Sequence, residues 1–370
     1  MLAPAIATSL GVPASLIGAF VGLVYVGAMV ASLLSGAYIA RHGAIRVSQA
    51  CVIACALGIA GVAVAGPATL ALVVLAAIVL GAGYGPITPA SSDVLARTTP
   101  PSRMSLVFSI KQTGVPAGAA LAGASLPALD LVLGWRGALA LAAGLGVAVA
   151  LAAQPVRETL DTHRRADATV ALRNAFASVR AIFRHRELAT MAALSFAYAA
   201  TQVCLTSFLV VHLTGRLGWS LVAAGFALSV GTIAGVSGRI AWGALADRTR
   251  RPRVVLGVIG LVAGACAAIT ALSTPAWPAV AIYAVVAAFG ATAIGWNGVM
   301  LAEVARLAPA GQAGATTGAT GFIPFAGVVA GPPVFGALAT LTGSTRTGFL
   351  ALAALSAVTG TLTLLGYRKS

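Results

Sequence analysis

Lys111 and Arg239 each stand inside a long apolar run, residues 104–126 and 221–246. A charge in hydrocarbon is costly, so an ionisable side chain within a membrane-length stretch carries a functional expectation. Lys111 is seven residues from one end of its run, and Arg239 is seven from the opposite end of its own. At about 1.5 Å per residue, both lie about 10 Å deep. A guanidinium offers a planar fork that fits a carboxylate with two hydrogen bonds, whereas an ammonium offers a point charge. The chemistry such groups suit is the recognition of an anion. The structural alternative is that Lys111 reaches back to the surface and Arg239 bonds helix-end carbonyls. Neutral polar and aromatic residues near mid-span complete a candidate cavity: Tyr25, Tyr84, Gln112, Tyr198, Gln202, Trp296 and Asn297. Tyr198 and Gln202 are four apart and share a helix face. Singly each reads as a packing residue; together they suit a small, partly polar solute.

The elements that position these groups follow from composition. Hydrophobic residues make up 59% of the 370, charged residues 8%, and the mean hydropathy is +0.98. Soluble domains carry about a quarter charged residues. Apolar segments of about 20 residues recur along the chain, long enough to cross a bilayer as helices. The alternating segments of a membrane β-barrel are absent. An all-α, polytopic membrane protein is expected. Spans are predicted near 14–39, 47–65, 70–94, 104–126 and 137–153, and again near 188–211, 221–246, 254–272, 278–302, 315–340 and 347–366. Gly114-Val-Pro116 predicts a kink in the fourth of these. The polar stretch 155–187 separates the two series. Within it Leu172, Phe176, Val179 and Phe183 recur at helical spacing among Arg173, Arg180 and Arg184. That pattern predicts an amphipathic helix on a membrane surface.

Several function classes fall away. Cys51, Cys55, Cys204 and Cys266 sit in apolar runs with no His or carboxylate spaced beside them, so they read as packing residues rather than metal ligands. No phosphate-binding loop or hydrolytic triad is present, and the four histidines are scattered. Neither an enzyme nor a cofactor is expected. The net charge of +15 suggests nucleic acid until the basic residues are placed. Eighteen fall on one side of the expected spans and three on the other. The rule that loops rich in Lys and Arg stay inside puts the eighteen in the cytoplasm, so the charge reflects topology.

The most charged short loop is Gly243-Ala-Leu-Ala-Asp-Arg-Thr-Arg-Arg-Pro-Arg253, between two apolar runs. It resembles the signature loop of the major facilitator superfamily of secondary transporters. A weaker copy, Gly36-Ala-Tyr-Ile-Ala-Arg-His-Gly-Ala-Ile-Arg46, lies 207 positions earlier, with Ala40 where the loop has its Asp. Asp93 and Arg97 are echoed by Glu303 and Arg306, and Pro116 by Pro324, at nearly constant offset. The resemblance implies two six-helix bundles, 1–154 and 188–370, joined by the cytoplasmic linker 155–187. The first helix would be largely missing, and the natural gene would start upstream of Met1. It also implies that Arg41 meets Asp93, that Arg248 meets Glu303, and that Asp247 faces the N-terminal end of the fifth helix. With Gly243 these residues would form a cytoplasmic gate.

In that fold the fifth and eighth helices are neighbours, so Lys111 and Arg239 would converge. No carboxylate lies deep in a span, so the anion between them would be the substrate. Gly238-Arg-Ile-Ala-Trp-Gly is similar to the eighth helix of monocarboxylate-porter and oxalate/formate-type members. The expected function is secondary transport of a small organic anion across the inner membrane by a monomer. Proton symport suits a carboxylate, because the pair crosses neutral. The alternatives are efflux of hydrophobic compounds, or a truncated membrane sensor that transports nothing. The expected partners are a small-molecule substrate, protons and the lipid bilayer, not nucleic acid.

Overall fold

The computed structural model describes residues 2–13, 16–162, 164, 179–180 and 182–367, and every regular element among them is a helix. The first series is α1 (Ala3–Leu10), α2 (Ile17–His42), α3 (Ala44–Val64), α4 (Leu70–Thr98), α5 (Met104–Gln112), α6 (Gly114–Ala152) and the short α7 (Gln154–Leu160). The second is α8 (Arg186–Leu217), α9 (Leu221–Thr249), α10 (Pro252–Leu272), α11 (Ala279–Ala293), α12 (Asn297–Leu307), α13 (Ala313–Thr342) and α14 (Thr345–Tyr367). Among the described residues, ten stretches are long and apolar enough to cross a membrane. One of them, Pro101–Ala152, has room for two crossings and turns at Gly134, whose φ of +66° favours glycine. Leu131 is 90% exposed and Val222 84%. Apolar surface of that kind is unfavourable in water and at home in lipid.

The helices begin and end on local signals. Ser220 caps α9, its hydroxyl accepting from the Ala223 amide at 3.2 Å. Pro252 opens α10, where a missing N–H costs nothing. Gly218, with φ +70°, ends α8. Two predicted spans are not single helices. The fourth is broken at Thr113, ahead of Gly114, and the span predicted at 278–302 is broken at Ile294–Trp296.

The described residues group into two compact units: those of 1–97, 114–181 and 308–322, and those of 98–113, 182–307 and 323–370. The expected division near 154 and 188 follows the chain, whereas the packing assigns α5 to the second unit and the start of α13 to the first. Small residues permit both assignments. In the first unit a Cβ on Gly36 would lie 2.7 Å from the Ala315 Cα. In the second, a Cβ on Gly243 would lie 2.8 Å from the Ser105 carbonyl oxygen. Gly36 and Gly243 are 207 apart, Ser105 and Ala315 are 210 apart, so the repeat is structural as well as sequential.

The second unit is filled by Leu205, Leu209, Leu213, Phe289, Phe335 and Phe349 toward one end, and by Met191, Leu194, Leu256, Ile259 and Met300 toward the other. In the first unit Ile39, Val47, Cys51 and Ala90 form one buried group. Leu172, Arg173 and Phe176 of the expected surface helix lie outside the described residues.

Candidate functional site

The break at Thr113 has a chemical cause. Pro116 has no N–H to offer the carbonyl four residues earlier, which is that of Gln112, and its ring crowds that carbonyl. Helix α5 therefore stops at Gln112, leaving a backbone oxygen without its helical donor. Arg239, on α9, supplies the replacement: its Nη1 donates to the Gln112 carbonyl. Its Nε donates to the Ile294 carbonyl at 3.0 Å, and Ile294 ends α11 at the second break. One guanidinium thus closes the C-terminal ends of two interrupted helices, where the helix dipoles favour a cation. Trp242, three residues on along α9, adds a bond from Nε1 to the Ala291 carbonyl at 2.8 Å. Arg239 is 4% exposed. The geometry is that of the structural alternative raised for this residue: the guanidinium holds helix ends.

Lys111 lies at the same place with a different surrounding. Its Nζ donates to the Gln112 side-chain oxygen at 2.8 Å. Adjacent residues on a helix do not face each other, so both side chains must bend to meet. An ammonium carries three N–H donors, and this bond uses one of them. Lys111 and Arg239 therefore do converge, and the residue between them is Gln112, its side chain on one cation and its backbone on the other.

Beyond the second break, Gln202 on α8 accepts at Oε1 from Trp296 Nε1 at 3.1 Å and from Asn297 Nδ2 at 3.1 Å. Trp296 is buried and packs edge-on against Tyr198, with centroids 5.7 Å apart. The Tyr198 hydroxyl donates to the Leu256 carbonyl at 2.6 Å, so this tyrosine is 2% exposed and packs inside the second unit. Tyr25 and Tyr84 meet edge-to-face at 6.3 Å in the first unit.

At the hinge-loop end, Asp247 accepts from the Ser105 and Leu106 amides at 3.0 and 2.8 Å, the first turn of α5. This is the helix-end contact expected of it, and the α5 dipole favours the charge. The ion pairs differ from those expected. Glu303 is held by Arg253 at 2.7 Å and Arg306 at 3.6 Å, while Arg248 is exposed. Arg253 also binds Glu187 at 2.6 Å, and Arg306 binds Asp247 at 3.1 Å. Five charged groups form one chain from the start of α8 to the start of α5, bordering an open cavity of about 800 Å³. Asp93 pairs with its own helix neighbour Arg97 at 3.0 Å, and Arg41 is exposed. The expectation took the loop arginine as partner. The structure instead uses Arg253, at the first turn of α10, whose direction carries it toward Glu303.

Sequence reasoning also missed Trp242 and Asp161. Trp242 was legible as the i+3 neighbour of Arg239. Asp161 accepts from the Ile45 and Arg46 amides at 2.8 and 3.0 Å, capping α3 as Asp247 caps α5. Its distance in sequence hid it.

The family model described as Major Facilitator Superfamily matches residues 1–332. No curated protein matches the chain. The crystal structure of the human organic anion transporter MFSD10 is similar with a TM-score of 0.75 at 18% identity, over 98% of this chain and 88% of that one. The E. coli fucose:proton symporter FucP gives 0.71 at 18% identity, over 98% and 95%. A bacterial homologue of the iron transporter ferroportin, in an outward-facing state, gives 0.66 at 17% identity, over 96% and 90%.

Proposed function

Because the chain belongs to the major facilitator superfamily, we propose that it carries a small organic anion of the monocarboxylate type across the cell membrane by alternating access. The observation that supports this reading is the meeting of Lys111 and Arg239 on Gln112. The two cations have different work. Arg239 is committed to the ends of α5 and α11 and keeps the broken helices in register. Among the described residues, Lys111 bonds the neutral side-chain oxygen of its neighbour, which a substrate carboxylate would displace at a gain, since both partners of the new bond would be ionised. A cation about 10 Å into a span is costly until such a partner arrives.

The structural neighbours carry different solutes, and at 18% identity they share the fold with this chain; the anion assignment rests on Lys111. Movement of the substrate would require α5 to part from α9, opening the Asp247 contact and the ion chain behind it. Those groups form the gate on the cytoplasmic side, with Gly243 letting α5 approach.

The test is uptake into proteoliposomes with a panel of labelled carboxylates, neutral solutes and hydrophobic dyes. The expected result is saturable uptake of carboxylates that disappears in Lys111→Gln. Transport of dyes with no carboxylate flux would replace this reading with efflux of hydrophobic compounds.

A further inference from the structure

The hydrogen bonds around Gln202 fix the polarity of two amides. An indole nitrogen donates and never accepts, so the Gln202 atom 3.1 Å from Trp296 Nε1 must be the carbonyl oxygen. The Asn297 atom that shares that oxygen at 3.1 Å must then be its amide nitrogen. Gln202 Nε2 and Asn297 Oδ1 are left over, one a donor and one an acceptor, and neither has a hydrogen bond among the described residues. Trp296 cannot turn to relax this arrangement, being buried, packed edge-on against Tyr198 and set in the break between α11 and α12. Gln202 and Asn297 are each half-buried. Amides facing lipid would be unfavourable, which directs them to the interior. The break itself joins this group to the cations, because Arg239 holds Ile294, two residues before Trp296.

We propose that Gln202 and Asn297 form a subsite for a hydroxyl group, so that the preferred substrate is a hydroxycarboxylate. A hydroxyl oxygen accepts from the Gln202 amide and donates to the Asn297 carbonyl, which satisfies both with one atom. A plain carboxylate leaves both unmatched, and a site built to bond a hydroxyl rejects the analogue lacking it. The inference rests on the organic-anion reading, with Lys111 taking the carboxylate.

The test measures binding of lactate and propionate, which differ by one hydroxyl, to the purified full-length protein by calorimetry, with 1,2-propanediol as the neutral control. Lactate is expected to bind about tenfold tighter than propionate or better, the effect of one matched hydrogen-bonding group. Gln202→Leu should bring lactate down to the propionate level, erasing the ratio between the two acids. Trp296→Phe, which keeps an aromatic ring and removes the indole donor, should lower the lactate-to-propionate ratio in the same way. Equal affinities in the wild type, or variants that weaken both acids alike, would overturn the subsite. Binding of the diol in a Gln202-dependent way, with no binding of either acid, would retain the hydroxyl subsite and overturn the anion reading. Binding of none of the three would overturn the subsite.

Discussion

At the residue scale, Arg239 shows how one side chain serves two meanings of the same sequence signal. A buried cation in a span reads equally as an anion receptor or as a clamp on helix ends, and neighbouring backbone decides between them. Pro116 frees the Gln112 carbonyl and the break at Ile294–Trp296 frees that of Ile294, so Arg239 is occupied. Arg239→Lys keeps the charge but cannot reproduce the two directed bonds of the guanidinium. Losing a bond from a charged donor to a buried carbonyl costs about 1.5–3 kcal/mol. The variant is expected to melt several degrees lower and to transport poorly, and carboxylates should not protect Arg239 from a guanidinium-directed reagent. Unchanged melting by calorimetry, together with protection by carboxylates, would return Arg239 to the role of substrate receptor.

The element scale is where sequence reading and structure parted most. The apolar runs, their lengths and the proline kink were all legible, because hydrocarbon imposes period and length directly. The break at Ile294–Trp296 was not, because Gly295 and Gly298 are ordinary in membrane helices and the replacement bonds come from Arg239 and Trp242 on another helix. The ion pairs misled for a similar reason: Arg248, Arg250, Arg251 and Arg253 lie close in sequence, and only the direction of α10 selects Arg253 for Glu303. Asp247 was legible because a carboxylate at a helix start is a local rule. Its contact with α5 is worth about 1–2 kcal/mol by the dipole and charge-assisted bonding. Asp247→Asn should therefore loosen α5 several-fold. A cysteine at Ser109, buried against Gly243 and Gly298 in the present structure, reports this in a background freed of the four native cysteines. Its labelling by a membrane-impermeant thiol reagent is expected to rise with Asp247→Asn, and an unchanged rate would remove Asp247 from the gate.

For the whole molecule, the near-constant offset of about 207–210 residues made the duplicated plan readable, since Gly36 and Gly243 recur with their partners Ala315 and Ser105. The exchange of α5 and the start of α13 between the two units was not readable, because it depends on which small residues meet in space. Orientation follows from basic residues, and a cysteine at Arg250 should label only from the cytoplasmic side while one at Arg346 labels only from outside. Labelling at Arg250 from outside and at Arg346 from the cytoplasm would reverse the topology, and labelling of both from one side would refute their placement on opposite faces. The central claim is that this fold moves an organic anion with Lys111 as its counter-charge. The most direct measurement is uptake of labelled lactate into proteoliposomes, comparing wild type, Lys111→Gln and Lys111→Arg at matched protein density. The account predicts saturable uptake in the wild type, none above leak in Lys111→Gln, and partial recovery in Lys111→Arg. Equal uptake by wild type and Lys111→Gln would contradict it.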